Sequence, residues 1–338
     1  MKKRINYIDI AKAIAIICIV LGHTVGYSNH LQPFRNFFYS FHVALFFMLS
    51  GFLFSYKKDF KDFLKNKFIK IIIPYFVWSL LFIIPYMLFS NNIKSSLNIN
   101  AISNIKDLLI NTLYGNGNDF HLKQNSALWF LPALFTMEIL YYFILNIVNK
   151  SKKGDLIALP IILLINIITS IKLSFVLPWG LNTSLNISIF FYIGYLLNKY
   201  KLVDKLKLIH MPFFLIGGIC GFIFNTQKIT YMNYGYGIIY LALLSGISFS
   251  ILIIYLSKLI NKNKILEYIG QNTMGILIFH KIVLLLFQTK VKYLSNSNIP
   301  IELLLSLLCT IISIIVSLII TSIIRKILPI LIGEKKEA

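Results

Sequence analysis

The sequence predicts an all-α integral membrane protein, a polytopic bundle of about ten transmembrane helices with both termini cytoplasmic. Three observations carry that prediction. Of 338 residues, 57% are hydrophobic and only 13% are charged, and the mean hydropathy is +0.77; soluble domains run at roughly 45–50% apolar and about 25% charged. The apolar residues recur as separate windows of crossing length along the whole chain, which excludes a soluble enzyme on one anchor. Basic residues, finally, alternate between dense and sparse connections.

The windows lie roughly at 8–27, 36–56, 69–90, 128–149, 155–172, 182–198, 209–226, 235–258, 268–288 and 301–326. They lack the alternation of a lipid-facing barrel strand, and in hydrocarbon a segment must satisfy its own backbone, so each is a helix. The first follows Met-Lys-Lys-Arg, like a signal peptide. Asp9 and Lys12 interrupt it and no small-residue cleavage site follows, so it is expected to stay as an uncleaved span. The second opens at Phe41-His42, the third holds Ile73-Pro-Tyr-Phe-Val-Trp78, and the fourth begins Leu128-Trp-Phe-Leu-Pro. Windows five to eight carry no charged residue or histidine away from their ends, and the ninth ends in His280-Lys281. Between the third and fourth, 91–127 is an Asn/Ser-rich extracytoplasmic loop with one helical stretch at 102–114, too short for a core of its own. Residues 1–338 therefore read as one transmembrane domain with no soluble domain.

Placing the N-terminus inside and alternating puts 23 of the 33 basic residues in cytoplasmic segments. Eight fall outside (Arg35, Lys94, Lys106, Lys123, Lys172, Lys228, Lys290 and Lys292), and Lys12 and Lys281 lie within spans. That is the positive-inside pattern, and an error of one span would scramble it. The net charge of +21 is thereby spread over cytoplasmic turns beside the lipid bilayer, with no aromatic-studded basic face, and no nucleic acid partner is expected. Cys18, Cys220 and Cys309 sit in apolar runs and read as packing residues.

Ionisable groups at membrane depth are costly, so each is a functional candidate. They are Asp9, Lys12, His23, His42, Glu138, His280 and Lys281. Lys12 and His23 are eleven residues apart, which places them within about 20° of one helix face and roughly 16 Å apart along it. Asp9 is one turn from Lys12 and can pair with it; the pair could equally be interfacial and snorkel to water. His23 and His42 fall at similar depth on spans joined by a short outer loop, so they are expected neighbours. Imidazole suits proton exchange near neutral pH, although an interior hydrogen-bonded histidine would also satisfy the pattern. Glu138 needs a partner, catalytic or structural, and Lys281 is expected to snorkel outward. No GxSxG elbow, Walker loop, GxGxxG or HExxH is present, and no carboxylate stands at ligand spacing from the histidines, so no metal is expected. Aromatics such as Trp78, Trp129 and Trp179 cluster at span ends, as an interface belt requires.

Arg4-Ile-Asn-Tyr-Ile-Asp9 running into Gly22-His23, Phe41-His42 through Leu45-Phe-Phe-Met-Leu-Ser-Gly51, and Ile73-Pro-Tyr-Phe-Val-Trp78 together resemble the membrane acyltransferase-3 family. Leu128-Trp-Phe-Leu-Pro-Ala-Leu-Phe135 and Gly270-Gln-Asn-Thr to Phe279-His280 extend the likeness toward its fucose 4-O-acetylase-like branch. The resemblance implies an integral-membrane O-acyltransferase, and the Lys/Ile/Asn-rich usage without a eukaryotic-type targeting signal points to a bacterial plasma membrane. It would take acetyl from cytoplasmic acetyl-CoA and modify a cell-surface or lipid-linked carbohydrate. It further implies a basic residue eleven positions before the first histidine, here Lys12 rather than arginine, and a basic pair before the third span, here Lys67 and Lys70. Lysine keeps the charge and loses the bidentate fork. Where relatives carry Met-Pro after the second-span histidine, this chain has Val43-Ala44.

The expected mechanism follows. Lys12, Lys67 and Lys70, with Asp9 beside them, meet the phosphates of acyl-CoA. His23 is either general base or transient acyl carrier, and Glu138, His42 or His280 orients it or relays its proton. The acceptor enters near the 91–127 loop and His121. The rival reading is a proton-coupled sugar or polysaccharide transporter, against which stands the lack of a repeat or of paired broken helices.

Overall fold

The computed structural model describes the chain except for residues 1–3, 57–58, 89–103, 117–121, 171–175, 227–228, 230–234, 295–297 and 335–338, with backbone alone at 286–294. The described residues are helical, without a strand. In chain order they form α1 (Asn6–Val25), α2 (Gln32–Tyr39), α3 (His42–Leu53), α4 (Phe60–Lys67), α5 (Ile73–Leu81), α6 (Ile105–Tyr114), α7 (Phe130–Val148) and α8 (Gly154–Ser170). There follow α9 (Leu181–Asn186), α10 (Ser188–Lys199), α11 (Leu202–Lys205), α12 (Met211–Ile223), α13 (Ile239–Ile260), α14 (Lys264–Gln271), α15 (Thr273–Leu294) and α16 (Ile299–Ile327).

Each of the ten apolar windows contains helix among its described residues. Six stretches among the described residues are long and apolar enough to cross a membrane, and a seventh is counted if the bent pair Pro178–Asn186 and Ser188–Lys199 is one span. The remaining windows hold the shorter apolar helices Gly154–Ser170, Leu208–Ile223 and Thr273–Leu285.

Helix α16 shows what surrounds the bundle. Ser306, Thr310, Ser313, Ser317 and Thr321 face inward and are buried, whereas Leu304, Leu308, Ile311, Ile315, Ile319 and Ile323 are exposed. A water-soluble helix does the reverse. Small hydroxyl residues inside and branched aliphatics outside are the pattern of a helix solvated by lipid.

Close helix approach depends on glycine. A Cβ on Gly51 would meet the Phe191 carbonyl oxygen at 1.9 Å, and one on Gly194 would meet that of Met48 at the same distance. Helices α3 and α10 thus touch backbone to backbone at two reciprocal points. Breaks in the helices are satisfied locally. At the 65° bend between α9 and α10, the Tyr236 hydroxyl donates to the Asn186 carbonyl and the Tyr141 hydroxyl to that of Ser188, each at 2.7 Å. Pro74 has no N–H for the carbonyl of Lys70, four residues earlier, and the helix widens to a π segment at Phe68–Ile72.

Central helix α1 packs against α2, α3, α13, α14, α15 and α16. Its start lies on α14, where a Gly270 Cβ would strike the Asp9 carbonyl oxygen at 1.8 Å. The end of α16 reaches the same region, because Arg325 donates to Asn272 and Glu334 at 2.6 Å and Trp78 Nε1 donates to the Leu331 carbonyl at 2.7 Å. The described beginning and end of the chain therefore lie at one end of the bundle.

The described part of the expected 91–127 loop packs on the bundle along one face, while Ile105, Leu109, Ile110 and Leu113 stay exposed. Asn104 caps α6 by accepting from the Asp107 amide at 2.8 Å, and Gly115 ends the helix at φ +63°. Thr112, Asn116, Gln124 and Asn125 are buried. Asn125 Nδ2 donates to the Ile278 carbonyl at 2.7 Å, which ties this segment to the helix carrying His280. His121 lies outside the described residues.

Candidate active site

The candidate residues gather in two groups, one at each end of an apolar cavity. In the first, Lys12 Nζ donates to Asp9 at 2.9 Å, one turn along α1. Lys67 Nζ donates to Glu138 at 2.5 Å, and the ammonium lies 5.9 Å and 5.7 Å from the ring centroids of Phe54 and Phe63. Of the two roles open to Glu138, a structural partner on another helix or an orienter of His23, the contact made is with Lys67. A carboxylate held inside a low-dielectric bundle stabilises the cation on the neighbouring helix, and that need fixes where Glu138 points. Lys70 sits in the π segment just beyond.

The cavity holds about 150 Å³. Lys12 and Thr273 line its polar end, and Ile19, Phe46, Phe130, Leu131 and Leu277 supply most of its wall. Ile19 lies four residues before His23 and Leu277 three before His280, so both histidines stand one turn further along the cavity-lining faces of α1 and α15.

There the second group begins. The His23 and His280 rings stack, with centroids 5.5 Å apart and planes 25° from parallel. Tyr39 joins His23 to His42: its hydroxyl is 3.1 Å from His23 Nδ1, and its ring packs edge-on against His42 at 4.8 Å. The Arg35 guanidinium lies over the other side of that ring, 4.3 Å from its centroid. Arg35 and Lys281 are both near enough to act electrostatically on His23. The expected meeting of His23 with His42 is thus made through a tyrosine, and the third histidine joins them directly.

Two of the three tautomers follow from hydrogen bonding. His280 Nδ1 lies 2.8 Å from the Ile276 carbonyl oxygen and His42 Nδ1 lies 2.6 Å from that of Phe38. A carbonyl oxygen only accepts, so both Nδ1 atoms carry the proton and both Nε2 atoms present a lone pair. His280 is fully buried, and its Nε2 has no hydrogen-bond partner. His23 faces a hydroxyl, which can donate or accept, so its tautomer is free to change.

Sequence reasoning missed Tyr39, Arg35 and Asn125. A usable signal existed for the first two: they stand four apart on the helix that opens with Pro33, and Tyr39 precedes His42 by three residues. Among the described residues, no group of three or more His, Cys, Asp or Glu is placed to share an ion.

A family model described as an acyltransferase domain matches residues 5–322. The chain belongs to the acyltransferase-3 family. No curated protein and no solved structure gives a match. Membership supports the acyltransferase reading of the sequence over the transporter reading: this is a membrane acyltransferase. The buried histidine cluster offers what an acyl transfer can use, since imidazole accepts a proton from a hydroxyl near neutral pH.

Proposed function

We propose that this acyltransferase-3 protein, of the fucose 4-O-acetylase-like branch, moves an acetyl group from acetyl-CoA to a hydroxyl of a cell-surface or lipid-linked carbohydrate. It does so in the bacterial plasma membrane as a single domain of ten spans with both termini cytoplasmic. The supporting observation is the apolar cavity that runs from Lys12 to within one turn of the stacked His23 and His280. An uncharged pantetheine arm suits such a wall, and its phosphates suit the lysine end; the roughly 16 Å from Lys12 to His23 along α1 is comparable to the arm's reach. The donor, when bound, supplies the thioester carbonyl.

The protein's own groups do the rest. Lys12, Lys67 and Lys70 offer cations to phosphate, with Asp9 and Glu138 holding the first two in place. The apolar wall excludes water, which protects the acyl group from hydrolysis. His23 acts on the reacting centre as base or as transient acyl carrier, held in register by Tyr39. The 23-to-8 distribution of basic residues and the meeting of both chain ends at the lysine end support a cytoplasmic donor side.

The test is acyl turnover by purified protein in detergent, followed with radiolabelled acetyl-CoA and succinyl-CoA. Wild type should consume acetyl-CoA, and a folded His23→Ala variant should not. Full turnover by that variant, or indifference between the two acyl groups, would overturn the corresponding part of the proposal.

A further inference from the structure

Resting on the acyl-transfer reading above, the geometry points to His280, and not His23, as the base that takes the proton from the incoming hydroxyl. The first support is the orphaned atom. Burying a polar nitrogen without a partner costs on the order of 1–3 kcal/mol; among the described residues twelve side-chain polar atoms are buried in this way, and one of them alone is a ring nitrogen able to act as a base. His280 Nε2 is such an atom in a fully buried ring. It is an acceptor by construction, because Nδ1 is committed to the Ile276 carbonyl, and what it lacks is an O–H donor.

The second support is the bracing of the helix that carries the ring. The Ser313 hydroxyl donates to the His280 carbonyl at 3.2 Å, and Asn125 holds the carbonyl of Ile278 at 2.7 Å. Gly275 permits α16 to approach so closely that a Cβ there would meet Thr321 Oγ1 at 1.9 Å. A base must be placed before it is strong, and this one is braced from both neighbouring segments. His23, by contrast, has one nitrogen engaged with the Tyr39 hydroxyl and its ring face on His280.

The step balances as follows. The hydroxyl proton passes to His280 Nε2 as the oxygen forms its bond to the thioester carbonyl carbon, with His23, stacked on His280, positioning that carbonyl. The carbon–sulfur bond breaks with its electron pair on sulfur. The thiolate takes the proton back from His280, giving the ester and free thiol and restoring the neutral imidazole.

His280→Asn is the informative variant, since the Asn amide N–H can stand in for Nδ1–H toward Ile276 while the basic nitrogen is lost. Purified full-length protein is given radiolabelled acetyl-CoA with water and glycerol as hydroxyl probes, and with hydroxylamine, which attacks thioesters without a base. Hydroxyl transfer should fall by about 100-fold or more, the usual worth of general-base catalysis, while hydroxylamine acetylation stays within about threefold. Retained hydroxyl transfer, or equal loss with both kinds of nucleophile, would overturn the assignment. So would a wild type that acetylates hydroxylamine but neither hydroxyl. His280→Gln is read in the same way should the Asn variant lose its thermal transition. A wild type inert toward every nucleophile counts instead against acyl transfer itself.

Discussion

The two ends of the cavity solve opposite problems. At the lysine end, Lys12 and Lys67 each have a carboxylate partner, so charge that would be costly in the bundle is neutralised before any substrate arrives. At the histidine end, a buried nitrogen is left without a partner and a tyrosine hydroxyl is shared between possible donor and acceptor roles. One end holds paired charges, which in the function proposed above would exchange partners with phosphate. The other offers a ring nitrogen without a partner. The lysine end has an unpartnered atom too, Glu138 Oε2, but it belongs to a carboxylate already paired with Lys67, so the contrast is between a paired charge and an unpaired base.

The largest effect should come from the reactive end. His23→Ala should cut acyl turnover by about 10²–10⁴-fold, the range for removal of a positioned acid–base or nucleophilic group, with little change in thermal unfolding. A matching loss of stability would mean that His23 is a packing residue and would erase the contrast. Glu138→Ala should do the reverse. Breaking a buried ion pair from one side costs about 3 kcal/mol or more; Lys67 keeps 21% of its side-chain surface accessible, so the loss belongs at the lower end of that range. A thermal melt checks it, and the double replacement Glu138→Leu with Lys67→Met should recover much of the loss. If Glu138→Ala melts normally yet abolishes turnover, Glu138 belongs with the histidines after all.

Much of this site could be read before any coordinates. The eleven-residue interval from Lys12 to His23 fixes a shared face, and the short outer loop brings His42 to the depth of His23; both follow from helix geometry. The positions of Glu138 and Tyr39 do not. Glu138 is directed by a cation 71 positions away, a contact with no local signature. Tyr39 reaches His23 because Gly22 leaves room for its ring, which a Cβ at that position would approach to 3.1 Å. The fold was legible as ten apolar windows and only partly as spans. Chain-break chemistry such as the tyrosine-satisfied bend at Ile187 is tertiary, and a hydropathy window sees an unbroken run.

Smaller effects test how the two ends are tuned. Tyr39→Phe removes the hydroxyl beside His23 Nδ1 and keeps the ring between Arg35 and His42. One hydrogen bond is worth about 1 kcal/mol, so kcat should fall roughly 5- to 10-fold while the KM for acetyl-CoA holds. A larger fall would make Tyr39 a proton donor in its own right.

The smallest effect belongs to Lys12. A cation that binds phosphate equally in ground and transition states changes KM and not kcat. Lys12→Gln should therefore raise the KM for acetyl-CoA several-fold, and Lys12→Arg, which adds a bidentate fork, should hold or lower it. Asp9 complicates the reading in a useful way, because it loses its partner in the Gln variant and becomes an uncompensated carboxylate 5% exposed. Pairing Lys12→Gln with Asp9→Asn removes that penalty. If the double variant regains stability but keeps the raised KM, the lysine end binds the donor. Recovery of both would reduce the Lys12–Asp9 pair to a structural contact within α1, leaving the chemistry to the histidine end.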